Sequence, residues 1–507
     1  MTGGFTIAHR QVVDPEEAPA DTGRITDKVK ITFTRSTLLF KFTYKIFITL
    51  FLLSINCIYS QDKITINNAD SLVGKIINGE QVREAMGNVS ITHNDVRITA
   101  NRVIQYFEQN KAELFGNVHM VKDTLNIYAP TGIYYGNESK AVCPDGATLN
   151  DSKATLKANY GIYYFNTDLA SFKGNVRIND ANSYTITSDA LDYYRAVSKS
   201  YASGNVKIVT DSAVITSDNL VYEKLIGIST ATGNVKIDSD STIITSDTLT
   251  HYDGERKSIA DNNVKINFLT EDAVISGKHG ENYERTNYAF VRGKAKLVQI
   301  EIKDDKVDTL FINSEKMESF RDKPEKYVAT DSVKVIRTDF LASSQIAHYF
   351  RNESGKGGVI SLAKDPAVWK DELQVTGDSI YAYFREDIDS LYVNKSAFAL
   401  KSHEGFADRF DQISGIFMFM KFVDNNIDYI RVDTNAASIY YSFENDEPGG
   451  ANKANGEIIT LFFNDKQVTK VKIVGMPKGT FMPEGLLDPI ELRLLGFRIR
   501  NDKPVRE

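Results

Sequence analysis

Cysteine is nearly missing from this chain. Its 507 residues hold only Cys57 and Cys143, which excludes a disulfide scaffold and a zinc-finger framework. Proline is scarce, with 11 residues, and tryptophan occurs once, although aromatics reach 11% through tyrosine and phenylalanine; that balance suits a strand-rich protein. There is no excess of positive charge. The formal net charge is −7, whereas nucleic-acid binding shows as a basic face. No glycine-rich phosphate loop is present, and the 7 histidines are scattered. No metal, nucleotide or nucleophile motif stands out, so the chain is expected to be no enzyme and to need no cofactor.

Near the start, Arg35, Lys41 and Lys45 precede the apolar run from Ile46 to Ile55, and Asn56-Cys57-Ile58-Tyr59-Ser60 follows. A basic flank, a short apolar run and a small residue at the cut describe a secretory signal, and the run is too short for a membrane span of about 20 residues. Cleavage near Ser60 is expected, with an uncleaved anchor as the alternative. Cys143 is then alone in an oxidising compartment and reads as a small, semi-buried side chain.

What the chain has in abundance is one sentence written repeatedly. It reads Gly174-Asn175-Val176-Arg177-Ile178 followed by Ile186-Thr187-Ser188-Asp189-Ala190-Leu191; then Gly204-Asn205-Val206-Lys207-Ile208 with Ile215-Thr216-Ser217-Asp218-Asn219-Leu220; then Gly233-Asn234-Val235-Lys236-Ile237 with Ile244-Thr245-Ser246-Asp247-Thr248-Leu249. Successive Gly-Asn-Val starts lie 30 and 29 residues apart. A fixed period of that size marks a structural unit that buries its apolar face by stacking on its neighbours. Earlier copies begin at Gly87 and Gly116, and later ones at Asn262 and Asp331.

Within a unit the apolar residues alternate. Val206 and Ile208 point one way and Asn205, Lys207 and Val209 the other, the period-2 signature of a half-buried strand. The chain is therefore expected to be all-β. Gly-Asn is read as a turn that opens a short strand, since turns need residues that tolerate positive φ. Thr-Ser-Asp is read as a hydrogen-bonding group at a turn edge, because a nucleophile would not recur at every rung. His251, at the position of Tyr193 and Tyr222, reads as a packing variant.

These Gly-Asn-Val-(Lys/Arg)-Ile and Ile-Thr-Ser-Asp-x-Leu-x-Tyr units resemble the OstA-like family of periplasmic lipopolysaccharide-transport proteins typified by LptA. The resemblance is close over residues 85–290 and looser to about 385. It implies a twisted, open-ended antiparallel β-jelly roll, here as two consecutive arrays: an N-terminal extension and signal over 1–60, a repeat array over 61–360 and a second β-rich region over 361–507. It further implies a periplasmic carrier or bridge that shields lipopolysaccharide acyl chains in a groove on the way to the outer membrane. The implied partners are lipopolysaccharide through its lipid A moiety, other transport proteins added at sheet edges, and further copies of the chain joined head to tail.

The groove lining expected from the alternation is Val118, Met120, Val176, Ile178, Val206, Ile208, Val235 and Ile237, with Ile186, Ile215 and Ile244. Ordinary closed core is the bland reading of the same residues. The rung near Ala85–Ala100 is expected to be a docking edge, and the Lys- and Asp-rich stretch between Gly293 and Asp331 a solvated hairpin. A polysaccharide-cleaving β-helix would need carboxylates on one rung only, whereas Asp189, Asp218 and Asp247 recur in register. A membrane barrel needs spans of about 9–11 residues with aromatic girdles. An extracytoplasmic scaffold or adhesin is the remaining alternative to transport.

Overall fold

The computed structural model describes residues 62–506 apart from 152–153, 181–183, 211–212, 304–305, 353–356, 445–446 and 465–466. The secretory segment with Cys57 and Ser60 lies outside the described residues. Among the described residues 32 strands join into a single sheet, and the helical elements are three short 3-10 turns. Neighbouring strands run antiparallel, and most are consecutive in sequence, as in Lys199–Thr210 with Ala213–Glu223 and Ala213–Glu223 with Ile228–Ser239. Residues rich in Val, Ile, Thr and Tyr pack well on such a pleated surface.

Most rungs are one long strand bent at its middle, and a few, such as Lys140–Cys143 with Ala147–Asn150 and Gly358–Ala363 with Ala367–Lys370, are broken there into two short strands. In Ile228–Ser239, Thr232 pairs with Thr248 and Val235 with Ser246, so Gly233 and Asn234 together face Asp247 alone. Two residues against one is a β-bulge, which bends its strand and re-aims the side chains beyond it. Gly233 has φ +77° and Asn234 φ +48°. The turn expected at Gly-Asn is thereby corrected: positive φ is needed there, but to fold a continuous strand across a corner. The same pair of positive φ values recurs at Lys395-Ser396 and Thr434-Asn435, where the sequence motif has faded.

The corners divide every rung into two arms, and the arms stack into two walls. One wall carries the isoleucines and the other the Leu-x-Tyr residues. Tyr184 on the first wall meets Tyr222 on the second edge to face at 5.3 Å, so the walls pack against each other. Their interior is a ladder of directly opposed apolar pairs: Ile178 with Ile186, Ile186 with Ile208, Ile208 with Ile215, Ile215 with Ile237, Ile237 with Ile244, and Ile244 with Ile266. The corner closes one side of this interior. On the opposite side the hairpin ends of the two walls meet in a seam.

Two further expectations change. The strand holding Ala85 is covered by Ser71–Ile77 and Thr65–Asn68, which pair with its two arms, so these form the edge instead. The stretch between Gly293 and Asp331 belongs to regular rungs, Tyr288–Lys303, Lys306–Phe320 and Lys326–Ile336, and only the first hairpin is lengthened at its tip. At the C-terminal end Gln467–Val474 and Lys478–Pro483 again split one edge between two short strands. Beyond them the chain turns back along the sheet. The buried Gln412 accepts from Leu494 N, and the buried Gln374 both accepts from Arg500 N and donates to Arg498 O, each at about 2.8–2.9 Å.

Candidate functional site

Where the two walls fail to fill the space between them, a cavity of about 680 Å³ opens. It lies between the rungs from Tyr184 to Asn287, and Ile186, Ile208, Ile215, Ile237 and Ile244 form its apolar floor. The ladder records the opening. Exposure is 1% at Ile98 and 0% at Met120, reaches 6% at Ile208, 9% at Ile215 and 8% at Ile237, and returns to 0% at Ile275.

The cause lies on the facing wall. There the cross-strand row reads Tyr193, Ser200, Tyr222, Ser229, His251, Ser258, Asn282. Every second position is serine, and the large member shrinks from tyrosine to histidine to asparagine. Upstream the interior is filled by Tyr134, Tyr163, Phe165 and Phe172, all buried, with Tyr163 and Phe165 in edge contact at 4.8 Å. Downstream Phe268 is fully buried, and Tyr327 stacks on Tyr349 at 6.0 Å. Close-packed aromatics leave no void; the small members of the row are no larger upstream, where Ala141 and Ala170 hold the serine positions, so the space comes from the large member shrinking to His251 and Asn282.

Five of the eleven lining residues read from the sequence thus surround one cavity. The other six are elsewhere. Val176, Val206 and Val235 are buried at the corner opposite Ser188, Ser217 and Ser246, and Val118 is opposite Ala129. Met120 and Ile178 are packed members of the ladder, opposite Ile127 and Leu156. Ser229, Ser258, His251 and Arg321 line the cavity without having been singled out as lining. The decline from tyrosine to histidine in the repeat, noticed at His251, was the available signal.

The mouth is polar. Asp240, Asp253, Glu271, Glu284, Arg256 and Arg321 all reach it. His251 Nδ1 is 3.0 Å from Ser258 Oγ, and its Nε2 is 3.5 Å from Asp253. Thr270 Oγ1 donates to Glu271 at 2.6 Å. Arg321 crosses the seam: it donates to Thr242 Oγ1 on the isoleucine wall at 3.5 Å, and to Asn282 Oδ1 at 3.2 Å and Asn287 O at 3.4 Å on the other wall. Its guanidinium also lies 4.9 Å from the centre of the Phe268 ring. Burial works against its charge, and the nearby Glu271 favours it without forming an ion pair.

The recurrent serines do backbone work. Ser188, Ser217 and Ser246 each donate to the carbonyl two residues on, at 3.0 Å. The recurrent aspartates hold the next corner, with Asn205 donating to Asp189 at 2.8 Å and Asn234 to Asp218 at 3.0 Å. Among the described residues no group of three or more His, Cys, Asp or Glu is placed to hold a metal ion.

No curated protein matches this chain. One solved structure similar to part of it is the crystal structure of LptH, the LptA homologous periplasmic component of the conserved lipopolysaccharide transport device from Pseudomonas aeruginosa. It is 17% identical over 27% of this chain and 73% of that one, with a TM-score of 0.15. The family of OstA-like proteins matches residues 61–160 and 154–247. The family described as LptA/(LptD N-terminal domain) LPS transport protein matches residues 214–388, so the two run on from one another through the whole repeat array. The chain is therefore an OstA/LptA-like member of the lipopolysaccharide-transport protein family.

Proposed function

We propose that this protein is a non-enzymatic periplasmic carrier that shields lipopolysaccharide acyl chains between its two walls on their way to the outer membrane. The observation that carries this reading is the cavity at Ile186, Ile208, Ile215, Ile237 and Ile244. Exposing an acyl chain to water costs about 0.8 kcal/mol per CH₂, on the order of 10 kcal/mol for a chain of a dozen carbons. A floor of isoleucine removes that cost without a tight site. At about 680 Å³ the cavity is in the range of small-molecule pockets, roughly 300–1,000 Å³, so it takes part of a multi-chain glycolipid at a time. The eleven residues Val118 to Ile244 named from the sequence form the proposed lipid path, with these five in contact.

The edges supply the partners in this reading. Leu72, Val73 and Ile76 are exposed on the N-terminal edge, and Val471 and Val474 on the C-terminal one. Unblocked edges recruit further strands, here other transport proteins or another copy of the chain head to tail. The N-terminal segment supplies export.

Site-specific photocrosslinking from Ile215 and Ile237 in cells tests the proposal. Crosslinks to lipopolysaccharide are expected from both, with none from the outward-facing Lys207 or Lys236. Absence from both lining positions would favour an extracytoplasmic scaffold or adhesin.

A further inference from the structure

Arg321 sits beyond the recurrent motif, just past the end of its rung, yet its side chain spans the seam and lines the cavity. Three features of its setting belong together. It is bonded to both walls, at Thr242 on one and Asn282 and Asn287 on the other. All three acceptors are neutral, at 3.2–3.5 Å, and no carboxylate among the described residues lies within ion-pair distance of it. And it is substantially withdrawn from water beside Phe268. A desolvated guanidinium held by long bonds to neutral acceptors has unused capacity for a charged one, because charge-assisted bonds are shorter and roughly twice as strong, and arginine pairs with phosphate bidentately.

We infer that Arg321 is a latch across the seam which an anionic headgroup, a phosphate carried by the lipid, opens by taking the guanidinium away from Thr242 and Asn282. This rests on the reading of the cavity as an acyl-chain site. The apolar tail lies on the isoleucines and the phosphate meets Arg321 at the mouth. Glu271 and Glu284 lie near enough to favour the charge of Arg321, and their field tempers the attraction to an incoming anion, so the gain is moderate. With the latch released, the walls are free to part at the point where Phe268 otherwise closes the interior toward the next rungs.

The test compares dodecyl phosphate with dodecanol, two probes of equal tail length, by calorimetric titration of the intact chain. The unaltered protein should bind dodecyl phosphate at least about tenfold more tightly, the difference expected for one charge-assisted contact. Arg321→Gln keeps a neutral donor without the charge and should abolish the preference for dodecyl phosphate over dodecanol; Arg321→Lys should restore part of that preference. Equal binding of both probes by the unaltered protein overturns the role of Arg321 while leaving the lipid site standing. Failure of both probes to bind overturns the lipid site itself. Competition by inorganic phosphate at the concentration of dodecyl phosphate would make this a site for free phosphate and overturn the inference.

Discussion

Asn234 Nδ2 donates to Asp218 Oδ2 at 3.0 Å, joining the corner of one rung to the middle of the rung before it. The same bond links Asn205 to Asp189 and Asn263 to Asp247. It explains why Gly-Asn and Thr-Ser-Asp are repeated together. The glycine must curl through positive φ and must also leave room for the aspartate of the previous rung.

Gly233→Ala tests that relationship. A Cβ at Gly233 would lie 2.3 Å from Asp218 Oδ2, on a backbone at φ +77°. Residues other than glycine held in such a conformation cost about 1–3 kcal/mol, and urea unfolding should show a loss of that order. Adding Asp218→Ala should recover little of it, because the backbone strain persists, the Asp218 Cβ at 2.9 Å remains and the bond from Asn234 is lost.

Filling the cavity separates its role from that of the core. Ser229→Phe and Ser258→Phe place rings into open space, so crosslinking from Ile237 to lipid should fall several-fold with little change in melting temperature. Ala231→Phe puts the same ring between the buried Leu220 and Leu249, outside the cavity. Overpacking of that kind costs about 1–3 kcal/mol, and the melting temperature should drop.

Cys143 is buried and unpaired, and burial pushes its thiol up to about 12. The thiolate is the reactive form, so at pH 8 a folded Cys57→Ser variant should resist thiol-specific reagents, whereas urea should expose one rapidly labelled group. Prompt labelling of native protein would show that this part of the interior opens readily.

The returning C-terminal segment should be released by acid. Arg500 holds the Asp502 carboxyl down at about 2, helped by a bond from Ser343 Oγ at 2.7 Å. A carboxyl depressed from an unfolded value of about 3.9 contributes stability that is complete above that value and lost as pH falls toward 2. Protease sensitivity or hydrogen exchange of residues 498–506 should therefore rise between about pH 4 and 2, and Asp502→Asn should shift the segment toward its low-pH behaviour at neutral pH.

The repeat spacing, the alternation of Val and Ile with polar residues and the recurrence of residues that accept positive φ determined the β class, the antiparallel stacking and the apolar ladder. These are local properties, so they survive in a linear reading. Residue by residue, that reading found Ile208, Ile215 and Ile237, which line the cavity, but gave equal standing to Val206 and Val235, which the corner buries. It also placed a turn at Gly-Asn, since positive φ alone does not distinguish a chain reversal from a mid-strand bulge. Only the tertiary structure decided where the ladder is open, because free volume depends on the side chains of the opposite wall. The row that shrinks to His251 and Asn282 leaves space that the buried Tyr163 and Phe165 fill further upstream, and Arg321 reaches Thr242 across the seam from 79 positions further along the chain.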